Sequence, residues 1–167
     1  MNKLNEIDIE LCKYNGKIFE ESLTKSKLSS PLFIKRFMYS NVAKLFDKKA
    51  YLASFFQIED VFLSLESQYL NEEFGKEKYS KNEMYWIGYI YRALCILYGF
   101  SSKNAYTLFP GKEIRKYYFI YHTFDVKYAT ERMLETIEYN LDDDLTRGLK
   151  IYKKILSQNK NHTIEIN

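Results

Sequence analysis

The sequence predicts an all-α protein, in which six to eight helices pack around one central buried helix. The chain of 167 residues contains only 6 glycines and 2 prolines, so long helices with short connections fit it better than a many-stranded sheet. Hydrophobic residues make up 46% of it, enough for a core in a single domain spanning 1–167. A helix start signal followed by an almost wholly apolar segment lies at about 80–98.

The N-terminal part of the chain predicts two helices. The first runs from about Asp8 to Ser26, with an imperfect apolar stripe. The second has a clear start signal in the run Ser29-Ser30-Pro31, because a serine can supply the cap and proline is tolerated at the first helical position. Its apolar positions continue to a predicted end near Asp47.

The next stretch is less regular. Residues 50–57 form a short apolar run that fits either a strand or a helical continuation, since periodicity does not decide between them over so few residues. Ile58–Leu70 has helical spacing of apolar residues. The segment 71–78 is charged and contains Gly75, which predicts a loop.

The central helix carries the strongest local signal. Ser80 and Glu83 have the spacing of a capping box, in which each side chain bonds the backbone amide of the other residue. The following residues, Met84 to Tyr98, are apolar on nearly every side, which is typical of a helix enclosed by others. Gly99 is a suitable terminator.

Shorter helices are predicted after the central one. They run over about Ser101–Phe109 and Lys112–Tyr121, and then from Val126 to about Asn140 with Asp125 as the cap. The aspartates at 142–144 predict the start of a last helix, because negative charge is favourable at a helix N-terminus.

Composition excludes several classes of protein. Cys12 and Cys95 form no CxxC pair and only two histidines are present, so we expect no metal site and no cofactor. We find no signal peptide and no run of about 20 apolar residues, which predicts a soluble, cytoplasmic protein without a membrane span. The formal charge of +3 is too small to indicate nucleic acid by itself, and the tail 159–167 is polar, with a possible short strand at 164–166.

Arg92 is the first candidate for a binding role. It lies midway along the central helix, on one line with Tyr85 and Tyr89. An arginine there could line a pocket with the tyrosines and hold a carboxylate or phosphate. The alternative is a structural ion pair or a side chain that reaches solvent, and we favour this alternative because buried arginines usually pair.

His122 is the second candidate, together with Thr123 and Asp125, at a predicted helix boundary. A histidine titrates near neutral pH and can act as a general acid or base. At a boundary it can instead cap helix carbonyls, while Thr123 or Asp125 caps the next helix. We favour capping, because the sequence shows neither a nucleophile nor a companion base nearby.

Arg115 and His122 are seven residues apart, so they share one side of an unbroken helix. This pattern resembles the motif of HEPN-type ribonucleases, which are small all-α domains. The resemblance implies that His122 assists in-line attack by the RNA 2′-hydroxyl and that Arg115 holds the phosphate. Lys112, Lys116 and the neighbouring tyrosines could also suit single-stranded nucleic acid, and a solvated helix surface explains them equally well.

A second resemblance covers about residues 30–135 and is strongest over 79–135. It is carried by the runs Asn82–Arg92, Ser101–Lys103 and Tyr121–Thr123. These runs are similar to those of a family of small bacterial proteins labelled antitoxin-like. The resemblance implies a role in a toxin–antitoxin or phage-defence locus, and it assigns no catalytic residue.

Three functions therefore stay open. The first is a non-enzymatic regulator, such as an antitoxin that binds and neutralises a toxin protein, with Tyr85, Tyr89, Arg92, His122 and Thr123 as candidate binding residues. Abundant tyrosine favours it, since tyrosine is enriched at binding hot spots. The second is a metal-independent ribonuclease that uses Arg115 and His122. The third is a nucleic-acid-binding regulator, and a homo-oligomer is compatible with all three.

Overall fold

The all-α prediction is confirmed by a computed structural model, which describes residues 4–48, 57–69 and 74–143. Eight α-helices lie in these ranges, and the only β-type pairing among them is an isolated parallel bridge between Leu28 and Phe74. The helices are α1 (Glu6–Lys25), α2 (Ser30–Tyr39), α3 (Asn41–Asp47), α4 (Ile58–Gln68), α5 (Lys81–Tyr98), α6 (Ser102–Leu108), α7 (Gly111–Tyr121) and α8 (Val126–Asp143).

Contacts divide the chain into two compact units. The first ends at His122 and contains α1 to α7, and the second begins at Thr123 and contains α8. Within the described ranges, no helix has the length and apolarity that crossing a bilayer requires.

Helix α1 begins earlier than the sequence interpretation placed it. The Asn5 side chain accepts a hydrogen bond from the Asp8 amide at 2.9 Å, and the Asp8 carboxylate accepts one from the Asn5 amide at 3.2 Å. This is a reciprocal capping box, so the helix starts at Glu6 and Asp8 lies inside the first turn.

The single helix predicted up to Asp47 is wrong, because the chain breaks at Ser40 into α2 and α3. Ser40 has extended backbone angles, and its Oγ accepts from the Ala43 amide at 3.1 Å while donating to the Phe37 carbonyl at 2.6 Å. One serine thus serves the end of α2 and the start of α3. The predicted serine side-chain cap of α2 is also not formed, because Ser29 occupies the N-cap position without a side-chain hydrogen bond and Ser30 already lies in the helix.

Helix α5 matches its prediction. Ser80 and Glu83 form the capping box, and Gly99 ends the helix in the left-handed conformation with a φ of 70°. Most of its side chains are buried, including the predicted core residues Met84 and Ile87. The helix is not enclosed on every side, because several aromatic residues along it are only half-buried, namely Tyr85, Trp86, Tyr89 and Tyr98.

Among the described helices of the first unit, α1 and α5 make the most extensive contact. They approach closely where each carries a glycine. A Cβ at Gly88 would lie 2.7 Å from the Asn15 carbonyl oxygen, and one at Gly16 would lie 2.9 Å from the Tyr85 carbonyl oxygen. The Asn15 amide reaches across the crossing and donates to the Gly88 carbonyl at 2.7 Å.

Aromatic rings fill the core beside this crossing. The Phe19 ring of α1 contacts Phe37 edge-on at 4.9 Å and Phe33 edge-on at 5.5 Å between centroids. Phe37 contacts Phe46 at 6.0 Å, and Phe19 contacts Tyr91 of α5 at 6.3 Å. These rings tie α1, α2, α3 and α5 together by burial of large apolar areas.

The helices near the end of the described chain follow their predictions with one exception. Asp125 caps α8, since its Oδ1 accepts from the Lys127 amide at 2.9 Å. The aspartates at 142–143 do not open a new helix, because α8 continues through Asp143. The predicted last helix beyond Asp143, the tail 159–167 and residues 50–56 lie outside the described ranges.

Candidate functional site

Arg92 lies in the core and is paired. Its side chain is 1% exposed, and its Nη1 donates to Asp47 Oδ1 at 2.8 Å. Its Nη2 donates to Ser102 Oγ at 3.0 Å, and the guanidinium lies 5.4 Å from the centre of the Phe46 ring. Ser102 completes the cluster, because its amide and hydroxyl both donate to the Asp47 carboxylate, at 2.8 Å and 2.6 Å.

This cluster joins the end of α3, the middle of α5 and the start of α6. Every Asp47 oxygen accepts at least one hydrogen bond, so its negative charge is compensated within the fold. With 1% of its side chain exposed, Arg92 has no open path to an external anion. The geometry therefore supports the structural interpretation of Arg92 that the sequence favoured.

Two thiols lie near this arginine. Burial raises the pKa of both Cys12 and Cys95 to about 12, although the positive charge of Arg92 acts in the opposite direction. Both thiols are free and buried. Since a thiol needs its deprotonated form to act as a nucleophile, both cysteines are unreactive core residues near neutral pH.

Tyr85 and Tyr89 are half-buried on α5, and their ring centroids are 6.4 Å apart. The Tyr85 ring lies against Gly16 of α1, and burial raises the pKa of its hydroxyl. These tyrosines share one side of α5 with Arg92, as predicted. The Arg92 guanidinium, however, donates to Asp47 and Ser102. It therefore does not line an anion pocket together with the two tyrosines.

Arg115 lies on α7 with one third of its side chain exposed. Its Nε donates to Glu83 Oε1 at 2.7 Å, and its Nη1 donates to Glu77 Oε1 at 3.2 Å. Its guanidinium also lies over the Tyr79 ring, 4.1 Å from the centroid. Arg115 therefore connects α7 with the N-terminus of α5 and with the segment 74–80.

The Glu83 carboxylate takes part in two structural interactions. One carboxylate oxygen accepts from the Ser80 amide at 2.7 Å in the capping box, and the other accepts from Arg115. Burial acts to raise the pKa of this carboxyl, but the hydrogen bonds from Arg115 and Ser80 outweigh it and lower the pKa below its ordinary value. Glu83 is thus ionised at neutral pH, and it fixes Arg115 in place.

His122 follows the last residue of α7 and is exposed. Its backbone amide donates to the Tyr118 carbonyl at 3.1 Å, and its Nδ1 contacts the same oxygen at 2.8 Å. Only a protonated Nδ1 can bond a carbonyl, so the other ring nitrogen, Nε2, is the acceptor in the neutral form. The ring stacks on Tyr118 with centroids 4.5 Å apart. The capping role predicted for His122 is therefore present, while Thr123 lies exposed in the turn after it.

The outward side of α7 is unusual for its large exposed apolar residues. Phe119 is 64% exposed and Ile120 is 57% exposed, whereas Gly111 and Ile114 on the opposite side are buried. At about 100° per residue, Phe119 and Ile120 flank Lys116 on the helix surface. We call the solvent-facing residues Lys112, Glu113, Lys116, Phe119 and Ile120 the outer side of α7.

Sequence reasoning missed two residues, Asp47 and Glu83, that hold the candidate arginines in place. The sequence indicates for Asp47 only the end of a helix, because its role as the partner of Arg92 depends on a contact between residues 45 positions apart. For Glu83 the sequence predicts only the capping box. A signal for its second task did exist, because a glutamate in a buried helix must satisfy both of its oxygens.

Known proteins add no assignment for these residues: the chain matches no protein-family model, and no curated protein or solved structure is significantly similar to it. The resemblances to antitoxin-like proteins and to HEPN-type ribonucleases stay predictions. In the described part of the chain, no group of three or more histidine, cysteine, aspartate or glutamate residues is arranged to hold a metal ion.

Proposed function

We propose that this chain is a non-enzymatic regulatory protein that binds a partner protein, in the manner of an antitoxin that restrains a toxin. The observation that carries the proposal is the exposure of Phe119 and Ile120, at 64% and 57%, on the outer side of α7. Large apolar side chains at the centre of an interface supply most of its binding energy once a partner covers them.

The charges beside these residues suit an acidic partner surface. Lys112 and Lys116 lie on the same outer side, and the chain carries a formal charge of +3. Lys116 forms an exposed ion pair with Glu113 at 2.8 Å, which is weak in water and can be exchanged for a pair with a partner. Lysines around an apolar centre match the usual polar rim of an interface.

The state of Arg115 also favours binding over catalysis. Its guanidinium bonds two carboxylates, Glu83 and Glu77, so holding a phosphate would require breaking at least one of these ion pairs. Arg115 also lies beside the exposed apolar residues, because its guanidinium is 5.9 Å from the centre of the Phe119 ring.

Co-expression tests the proposal. We expect the tagged chain to co-purify with the product of an adjacent gene and to relieve the growth arrest that this product causes. The double substitution Phe119→Asp and Ile120→Asp should abolish both effects. The matched control is Ile7→Asp on α1, because Ile7 is 65% exposed but lies on another helix. Complex formation that tolerates the double substitution would contradict the proposed surface.

One observation favours the ribonuclease as a second candidate. His122 keeps a helical backbone, with φ of −63° and ψ of −18°, so Arg115 and His122 follow one another on the same side of α7 about two turns apart. Nδ1 is bound to the Tyr118 carbonyl, which leaves Nε2 to exchange a proton with a substrate.

Expression of the chain alone separates the two candidates. A ribonuclease would arrest growth and cleave RNA in the presence of a chelator, and His122→Ala would abolish both effects. Phe119→Asp is the matched control on the same helix. Salt-sensitive RNA binding without cleavage would instead support the nucleic-acid-binding regulator.

A further inference from the structure

The sequence contains a single Asn-Gly pair, Asn15 and Gly16, and it lies at the crossing of α1 and α5. In an unfolded chain an asparagine followed by glycine is the pair most prone to deamidation, because glycine has no Cβ to hinder the approach of its nitrogen to the preceding carboxamide. In the folded chain this carboxamide is enclosed. The Asn15 side chain is 0% exposed, and its Nδ2 donates to the Gly88 carbonyl at 2.7 Å.

Deamidation of this pair consumes only water. The deprotonated backbone nitrogen of Gly16 attacks Cγ of Asn15, the bond from Cγ to Nδ2 breaks, and ammonia leaves with the proton that the backbone nitrogen gave up. The product is a five-membered succinimide ring. Water then opens the ring at Cγ to give aspartate, or at the backbone carbonyl carbon to give isoaspartate, whose main chain runs through Cβ and Cγ. No atom is oxidised or reduced in either step.

The fold blocks the first step in two ways. Gly16 lies inside α1, so its amide points along the helix to the Cys12 carbonyl and away from the side chain of Asn15. The crossing also leaves no room for the succinimide ring, because a Cβ at Gly16 would already lie 2.9 Å from the Tyr85 carbonyl oxygen. Attack on Cγ therefore requires α1 to separate from α5 and to lose its helical turn at Asn15.

The two products do not fit the position from which they arise. Isoaspartate adds one carbon atom to the main chain in the middle of α1, so the helical hydrogen bonds on either side of it fall out of register. Aspartate keeps the main chain, but it puts a carboxylate oxygen where the Nδ2 donor of Asn15 faced the Gly88 carbonyl. It also places a charge on a side chain that is 0% exposed. A modified chain therefore cannot rebuild the contact between α1 and α5.

We propose that Asn15 is a site of spontaneous deamidation that reacts only while the contact between α1 and α5 is open. Folding protects the carboxamide, and a chain that stays open long enough to react loses the ability to refold. Transient unfolding of α1 thereby becomes permanent. The site lies on α1, so it does not depend on the outer side of α7 or on a partner protein.

Incubation of the full chain at mildly alkaline pH, either folded or in guanidinium chloride, tests the site. Mass spectrometry of the peptide Leu11–Glu20, released by cleavage after glutamate, reports the exchange of the Asn15 amide for a hydroxyl. We expect this exchange to be at least about 100-fold slower in the folded chain, because it proceeds only through the open fraction. Asn41 is the internal control, since it is exposed but precedes Val42, whose branched Cβ hinders the attack in both states.

Refolding tests the consequence of the modification. Wild-type samples held in alkaline denaturant should lose the ability to refold in proportion to the modified fraction. Samples held in mildly acidic denaturant, where the Gly16 amide keeps its proton, should refold completely. Asn15→Asp should unfold at a lower denaturant concentration than the wild-type chain or should not fold at all, whereas the exposed Asn41→Asp should behave as the wild type.

Gly16→Ala localises the chemistry. In denaturant its contact with Tyr85 plays no part, and the added Cβ should slow deamidation at Asn15. Three outcomes would overturn the proposal: equal deamidation rates in the folded and the denatured wild-type chain, an unchanged rate at Asn15 in the denatured Gly16→Ala variant, and complete refolding of chains that carry aspartate or isoaspartate at position 15. Each measurement is made without a partner, so its result is independent of the α7 proposal.

Discussion

Helices α5 and α7 belong to the same unit but differ in which kinds of side chain they bury and expose. On α5, Arg92 is 1% exposed and bonds Asp47 and Ser102 inside the fold. On α7, Phe119 and Ile120 are more than half exposed. The polar group is inside and the apolar groups are outside, which is the reverse of the usual arrangement.

The difference separates the residues that stabilise the fold, on α5, from the residues that are available to a partner, on the outer side of α7. Substitutions of the buried residues of α5 should reduce stability strongly, because these side chains are enclosed by the fold. Substitutions on the outer side of α7 should leave stability almost unchanged and alter binding alone. The following predictions test this separation in order of decreasing effect on the free energy of unfolding.

Arg92→Ala should produce the largest loss, about 4 kcal/mol, because it leaves the partly buried Asp47 carboxylate without its cation. Urea denaturation followed by circular dichroism measures this loss. Adding Asp47→Asn should recover part of it, since the uncompensated charge is then removed. A loss below about 1 kcal/mol would show that α5 tolerates substitution as α7 does, and it would contradict the proposed difference between the two helices.

Gly88→Ala should cost about 3 kcal/mol, because the added methyl group would lie 2.7 Å from the Asn15 carbonyl oxygen and 2.8 Å from Phe19 Cγ. Gly99→Ala is the control, since a Cβ there meets nothing within 4 Å and adds only the strain of a positive φ. That control should cost about 1 kcal/mol. Equal losses in both variants would remove the close helix approach as the explanation.

Glu83→Gln should cost about 1–2 kcal/mol at neutral pH, because the charged hydrogen bond to Arg115 becomes a neutral one. The effect depends on pH in a defined direction. The pKa of Glu83 is lower in the folded state, so its contribution is complete above the unfolded value of about 4.3 and is lost as the pH falls through the folded value.

Chemical denaturation at several pH values below neutrality checks this behaviour. The wild-type chain should lose more stability than the Glu83→Gln variant as the medium becomes acidic. Glu113→Gln is the control, because the Glu113–Lys116 pair is exposed and should contribute less than about 0.5 kcal/mol. Parallel pH curves for wild type and Glu83→Gln would be inconsistent with the assigned pKa shift.

Phe119→Ser and Ile120→Ser should have the smallest effects, each below about 0.5 kcal/mol, since both side chains are already in contact with water. Ile114→Ser on the buried side of the same helix is the control and should cost about 3 kcal/mol. Thermal or urea unfolding measures all three. A large loss at Phe119 would mean that the fold itself uses this surface.

Local signals explain which parts of the fold could be predicted. A capping box involves residues three apart, so Ser80 and Glu83 identified the start of α5 without any knowledge of packing. Asn5 and Asp8 have the same spacing, and they form a capping box as well. Gly99 was recognised as a terminator because its lack of a Cβ suits the left-handed conformation.

Contacts between distant residues explain what could not be predicted. The sequence indicates that Arg92 needs a partner, but it does not indicate that Asp47 is that partner, because the choice depends on how α3 packs beside α5. The exposure of Phe119 and Ile120 could not be predicted for the same reason, because it also depends on how the helices pack. Their spacing fits a buried stripe as well as an exposed one, and only the arrangement of neighbouring helices decides between the two.

The crossing of α1 and α5 has a consequence for synthesis on the ribosome. The bond from Asn15 to Gly88 joins residues 73 positions apart, so α1 leaves the ribosome well before its main packing partner has been translated. At ordinary translation rates the delay is about 4 to 15 seconds. During that interval Leu11, Ile18 and Phe19, which are fully buried in the folded chain, have no α5 to cover them.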